Sequence, residues 1–126
     1  MDNVVSISQT QRTFTLQQAQ ELLPVIIHIT AESQREVSRM VNRLEAIKYG
    51  STEAAQQLEE DIQTQIDHWQ QKLSRLGVHP KGLWLADFDN GRGYYCWKYP
   101  ESSIRFFHGY QDGFSGRQEI HPESLV

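Results

Sequence analysis

Residues 83–99 read LWLADFDNGRGYYCWKY. Two short runs rich in aromatic and aliphatic residues flank Asp89-Asn90-Gly91. Asn and Gly tolerate the positive φ of a tight reversal, so this stretch predicts a β-hairpin with strands over 83–88 and 94–99. Pro100-Glu101-Ser102-Ser103 offers a further turn, and Ile104 to His108 a third strand. Gly109 to Gly116 holds three glycines and reads as a structured loop. Ile120 closes the ordered part.

Upstream of this stretch the apolar residues follow a different period. Ile26, Ile29, Ser33, Val37, Met40, Leu44 and Ile47 recur at steps of three and four, as do Leu58, Ile62, Ile66, Trp69, Leu73 and Leu76. Narrow seams of this kind suit two helices packed side by side. Thr15 with Gln18 resembles a capping box at the first helix start. Pro24 lacks a donor N–H and predicts a kink or break about two turns in. Gly50 offers a left-handed stop, and Ser51 or Thr52 a cap for the second helix, with Glu53 in its first turn. Lys72 and Arg75 suit that helix's C-terminal end, and Gly77 its stop. Each helix is expected to run about 25 residues, or about 37 Å. The expected fold class is α+β: a long antiparallel helical hairpin kinked near Pro24, then a small three-stranded antiparallel sheet and a Gly-rich loop. Residues 13–120 form one domain between a flexible tail at 1–12 and a C-terminal tail at 121–126.

The chain has 126 residues, of which 38% are hydrophobic and 22% charged, and a net charge of −4. That balance fits one small globular domain and counts against sequence-independent nucleic-acid binding, which needs a basic face. Arg35, Arg39, Arg43 and Lys48 do align along one helix, but Glu32, Glu36 and Glu45 are interspersed, as on a solvated mixed face. Cys96 is the only cysteine, so no disulfide can form within the chain. The longest apolar run, Val25 to Ile29, is interrupted by His28 and is too short to span a bilayer. No membrane association and a cytoplasmic location are expected.

Several residues together carry a family resemblance. They are Gly82-Leu83, Asp87-Phe88, Cys96-Trp97, Phe107-His108 and Asp112-Gly113-Phe114-Ser115-Gly116-Arg117-Gln118, with an opening Phe14-Thr15-Leu16, Ala19 and Leu22-Leu23-Pro24. Over about residues 13 to 120 the chain resembles a bacterial family catalogued as domain of unknown function 2203. Family members often have Trp where Phe107 stands and an acidic residue where Gln111 stands. The resemblance implies the same fold and draws attention to the C-terminal third, but implies no particular activity, cofactor or partner.

The residue types in that third make one candidate binding cluster: His108, Asp112, Arg117 and Gln118, with Arg105 and Trp97 nearby. Arg117 presents a planar fork suited to a carboxylate or phosphate, and His108 can donate, accept or titrate. Gly109, Gly113 and Gly116 would let the backbone approach a ligand. The structural alternative is that Arg117 pairs with Asp87 or Asp112 to tie the loop down. His79, His108, His121, Asp87, Asp112 and Cys96 are potential metal ligands, but they show no close-pair spacing, and no metal or cofactor is assigned. Cys96 lies mid-strand with no base placed beside it, so it reads as a packing residue rather than a nucleophile, and no residue is assigned as catalytic. Trp84, Phe88, Tyr94, Tyr95, Trp97, Tyr99, Phe106 and Phe107 should divide between a face packed on the helices and a face open to solvent or a partner. His28 and His68 receive no role.

These features favour a non-enzymatic binding or regulatory module. It would act through self-association of the hairpin or docking of a protein partner, with a small anion as a candidate ligand near His108 and Arg117. The alternatives are a small enzyme using His108 as acid or base with Arg117 holding an anionic substrate, and, more remotely, nucleic-acid binding.

Overall fold

The computed structural model describes residues 12–47 and 52–121. The expected stop and cap at Gly50 and Ser51, Lys48 of the basic stripe, and residues 1–11 and 122–126 lie outside the described residues. Two helices, α1 (Leu16–Ile47) and α2 (Thr52–Arg75), are followed by an antiparallel sheet, so the architecture is α+β. No helix among the described residues is long and apolar enough to cross a membrane.

The capping box forms as its residue types predict. Thr15 Oγ1 accepts from the Gln18 N–H at 3.1 Å, and Gln18 Oε1 accepts from the Thr15 N–H at 2.9 Å. From there α1 runs as one helix of 32 residues, or about 48 Å, with Pro24 inside it rather than at a break. Pro24 is exposed, while Leu23 and Ile26 are 2% and 0% exposed. Core packing on either side of the proline thus holds one helix where local propensity alone suggests a division. The end of α2 is a Schellman motif around Gly77 (φ +80°). The Gly77 N–H donates to Ser74 O and the Val78 N–H to Leu73 O, and the side chains of Val78 and Leu73 are both buried. Arg12, expected to belong to the tail, is instead tied down. Its Nη1 donates to Leu76 O at 2.7 Å, so it caps a carbonyl that α2 leaves unpaired.

The seam between the helices includes a polar residue that a count of apolar positions passes over. Thr30, not Ile29, is fully buried, and its Oγ1 accepts from Trp69 Nε1–H at 2.8 Å. Val37, Met40 and Leu58 continue the buried seam toward the far end of the hairpin.

The sheet has five strands rather than three: β1 (His79–Pro80), β2 (Leu85–Asp89), β3 (Gly93–Lys98), β4 (Phe106–Gly109) and β5 (Gln118–Glu119). They lie in chain order, each antiparallel to its neighbour. The two additional strands are only two residues long, too short for any alternation to show. Strand β2 begins later than the apolar run because Trp84 has φ +64° and sits in a turn closed by Leu85 N–H to Gly82 O at 3.0 Å. Trp84 is held there by edge-to-face packing on Trp69, with centroids 5.0 Å apart. The β2–β3 turn forms where expected. Asn90 Oδ1 accepts from the N–H groups of Arg92 and Gly93, and Gly91 takes φ +92°.

Alternation sends Ala86, Phe88 and Trp97 into the core with Leu23, Ile26, Trp69 and Leu73. The opposite face carries Asp87, Tyr94, Cys96, Phe106 and His108, brought side by side by the registers Asp87↔Cys96, Cys96↔Phe106 and Tyr94↔His108. This second face, expected to be open, is roofed by the chain's own loop. Tyr110 packs edge-on against Tyr94 with centroids 5.1 Å apart, and Arg117 lies 4.0 Å over the Phe106 ring.

Candidate functional site

Under that roof lies a cavity of about 250 Å³ with Lys81, Tyr94, Tyr110 and Phe114 in its wall and Asp87, Cys96 and His108 at its floor. The three floor residues come from β2, β3 and β4 and are 2%, 1% and 4% exposed. One oxygen, one sulfur and one nitrogen ligand atom from them all lie within 4.8 Å of one another. The sequence offers each residue separately, but only the strand register brings them together.

The hydrogen bonds define the chemistry of the floor. His108 Nδ1 lies 2.8 Å from Gly109 O, and since a carbonyl only accepts, this nitrogen carries a proton. His108 Nε2 lies 3.0 Å from Asp87 Oδ2. That contact needs a second proton, held by either the imidazole or the carboxyl, so the pair is neutral as a whole. Burial pushes the Asp87 carboxyl above its usual range, with His108 and Lys81 pulling in the opposite direction. Burial and the neighbouring Asp87 push the Cys96 thiol up to about 12, against the favourable effect of Arg117. Cys96 is therefore a thiol at neutral pH, and both ring nitrogens of His108 are engaged. Neither an activated nucleophile nor a free base is present in this group.

The other candidate residues are distributed more widely. Arg117 finds neither Asp87 nor Asp112 but Glu101, through a two-pronged pair of 2.8 and 2.9 Å. Its Nη2 also donates to Cys96 O at 3.3 Å, and its guanidinium lies between the rings of Phe106 and Phe114. The fork proposed for an anion thus already holds a carboxylate. Arg117 Nε is buried without a partner. Asp112 Oδ2 accepts from the Gly109 N–H at 3.0 Å. A Cβ at Gly109 or Gly116 would come 2.7 Å from an Asp112 side-chain atom, so these glycines make room for Asp112 rather than for a ligand. Gln118 is exposed on β5 opposite Phe107, and the exposed Arg105 guanidinium lies 5.9 Å from the Phe106 ring. Trp97 is in the core on the opposite face, its Nε1–H donating to Glu101 O at 2.7 Å. His108 is the one residue of the expected cluster at the cavity floor. Asp87 and Cys96, which the sequence offers with it only in a wider set of potential metal ligands without close-pair spacing, are its neighbours there, whereas Lys81, Tyr110 and the Arg117 partner Glu101 carried no sequence signal.

A family model described as "Uncharacterized conserved protein (DUF2203)" matches residues 12–120. The chain belongs to this family. The match covers both helices, the whole sheet and the roof loop, so every element that builds the cavity lies within the family's domain. No curated protein and no solved structure gives a significant match.

Proposed function

We propose that this chain is a non-enzymatic binding module whose ligand site is the cavity between the sheet and its roof loop, floored by Asp87, Cys96 and His108. The observation that carries this reading is the burial of three different polar, ligand-type side chains on a face walled by the loop. Polar groups buried without function are costly, and an apolar filling would stabilise the fold equally well. Binding is favoured over catalysis because both ring nitrogens of His108 and both terminal nitrogens of the Arg117 guanidinium, on which an acid–base reading would rest, already have internal partners.

Docking through the hairpin has thinner support. The helices close their apolar seam on each other through Val37, Met40 and Leu58, and on α1 the exposed large hydrophobics are the separated Val25 and Val41.

Native mass spectrometry of untagged chain, purified without chelator, tests the cavity reading when combined with thermal shifts in phosphate, citrate, Mg²⁺, Mn²⁺ and Zn²⁺. A bound mass or a saturable thermal shift in the native chain that disappears in His108→Gln supports the reading. A bare mass together with no shift from any probe overturns it.

A further inference from the structure

Resting on that cavity reading, we infer that Asp87, Cys96 and His108 form a site for one divalent transition metal ion of the zinc class, with a fourth position open toward the cavity. The donor set comes first. A carboxylate oxygen, a thiolate sulfur and an imidazole nitrogen suit zinc, cobalt or ferrous iron, whereas magnesium and calcium require oxygen ligands alone. Three protein ligands plus one free position differs from a closed, four-ligand structural site and leaves room for a water or a small ligand on the ion.

The geometry fits. Tetrahedral coordination at ordinary metal–ligand lengths places donors about 3.4 Å apart. The three donors lie within 4.8 Å of one another, with His108 Nε2 and Asp87 Oδ2 at 3.0 Å, so an ion entering among them moves each by only a few tenths of an ångström to about 1 Å. They stand on adjacent paired strands, so they are held by the sheet rather than by flexible termini. His108 is already oriented. Its Nδ1–H donates to Gly109 O, the outer hydrogen bond that fixes a metal-binding imidazole with Nε2 turned toward the ion.

The charge balance agrees with this geometry. In the absence of a cation the group stays neutral by keeping two protons, one within the Asp87–His108 pair and one on Cys96. A divalent ion that displaces both leaves the net charge of the buried group unchanged. Such a substitution avoids burying uncompensated charge. The Arg117 guanidinium, whose Nη2 donates to Cys96 O, also favours the ionised form of Cys96.

The test is a titration of the full, metal-stripped chain with Co²⁺ and then Zn²⁺. The expected result is one ion per chain, a near-ultraviolet thiolate-to-cobalt charge-transfer band, and about two protons released per ion. Proton release is read from calorimetry in buffers of different ionisation enthalpy. Cys96→Ser should abolish the band, and Asp87→Asn should weaken binding by roughly a hundredfold or more. Circular dichroism checks that both variants are folded. Because the band and the proton count are measured on the unaltered chain, a variant that fails to fold does not rescue the inference. Absence of saturable Co²⁺ and Zn²⁺ binding, or binding without the thiolate band, overturns the metal site. If a different bound mass still depends on His108, the cavity reading stands and the metal inference alone falls. If no mass and no probe binds, both fall.

Discussion

Cys96 shows how far the setting of a residue can move its chemistry. The thiol is 1% exposed and its ionisation is pushed from 9.0 up to about 12. The thiolate is the reactive form, so alkylation of native Cys96 by iodoacetamide should be slower than in the urea-unfolded chain by on the order of a thousandfold at mildly alkaline pH. Mass-spectrometric time courses of the two states check this, and comparable rates would show that the thiol is not held in the cavity floor. The sequence already showed an unsupported cysteine in mid-strand, which is enough to read it as a packing residue. That it adjoins Asp87 and His108 was not legible, because the pairing of β2 with β3 and β3 with β4 depends on register and not on composition. Thr30 was missed for a related reason. An apolar seam count skips a threonine, although the hydroxyl is what satisfies the Trp69 indole inside the hairpin. Replacing it by the near-isosteric valine in Thr30→Val leaves that donor buried and unpaired. The substitution should cost about 1–3 kcal/mol in guanidinium unfolding, whereas an exposed Thr→Val change would cost little.

At the scale of elements, the turn signals were the most legible feature and the sheet edges the least. Asn90 and Gly91 act locally, so their chemistry can be read without knowing the rest of the chain. Strands β1 and β5 exist only because β2 and β4 offer them edges. The proline in α1 shows the converse, since burial of Leu23 and Ile26 overrides a strong local signal. Two glycines near the cavity give contrasting predictions. Gly91 has φ +92° and open space where a Cβ would point, so Gly91→Ala should cost only the backbone strain, about 1–2 kcal/mol. A Cβ on Gly93 would meet the His108 carbonyl oxygen at 2.5 Å and the Gly109 Cα at 3.1 Å, both backbone atoms. Gly93→Ala should therefore separate β3 from β4 beside the candidate site, costing about 1–3 kcal/mol. It should also shift the His108 imidazole resonances in ¹H–¹⁵N spectra, while Gly91→Ala leaves them in place.

For the whole molecule, the buried polar group ties stability to pH. Asp87 and Cys96 both bind protons more tightly when folded than when unfolded. A raised folded-state value means stability that is complete below the unfolded value and lost as pH rises through the folded one. Ionising Asp87 in the metal-free protein should thus cost stability as pH rises through its raised folded-state value. Cys96 adds a further loss between 9.0 and about 12, with a slope approaching 1.4 kcal/mol per pH unit per proton. Denaturant unfolding across that alkaline range should show a flatter curve for Cys96→Ala. An equally steep curve would assign the loss to other groups. At this scale the α+β architecture was evident from the change of period near residue 78. The roof over the outer face was not, because a Gly-rich loop carries no period from which its landing place can be read.

The chain-order meander has a kinetic consequence. Asp87 and His108 are 21 residues apart and meet across a single intervening strand. No distant segment has to be threaded or docked to bring the three floor residues together. Closing loops this short is fast compared with the long-range pairings that slow other β-rich folds. The cavity floor should therefore be assembled in the same rapid phase that forms the sheet, and the Arg117–Glu101 pair that fastens the roof, only 16 residues apart, closes over a comparably short loop.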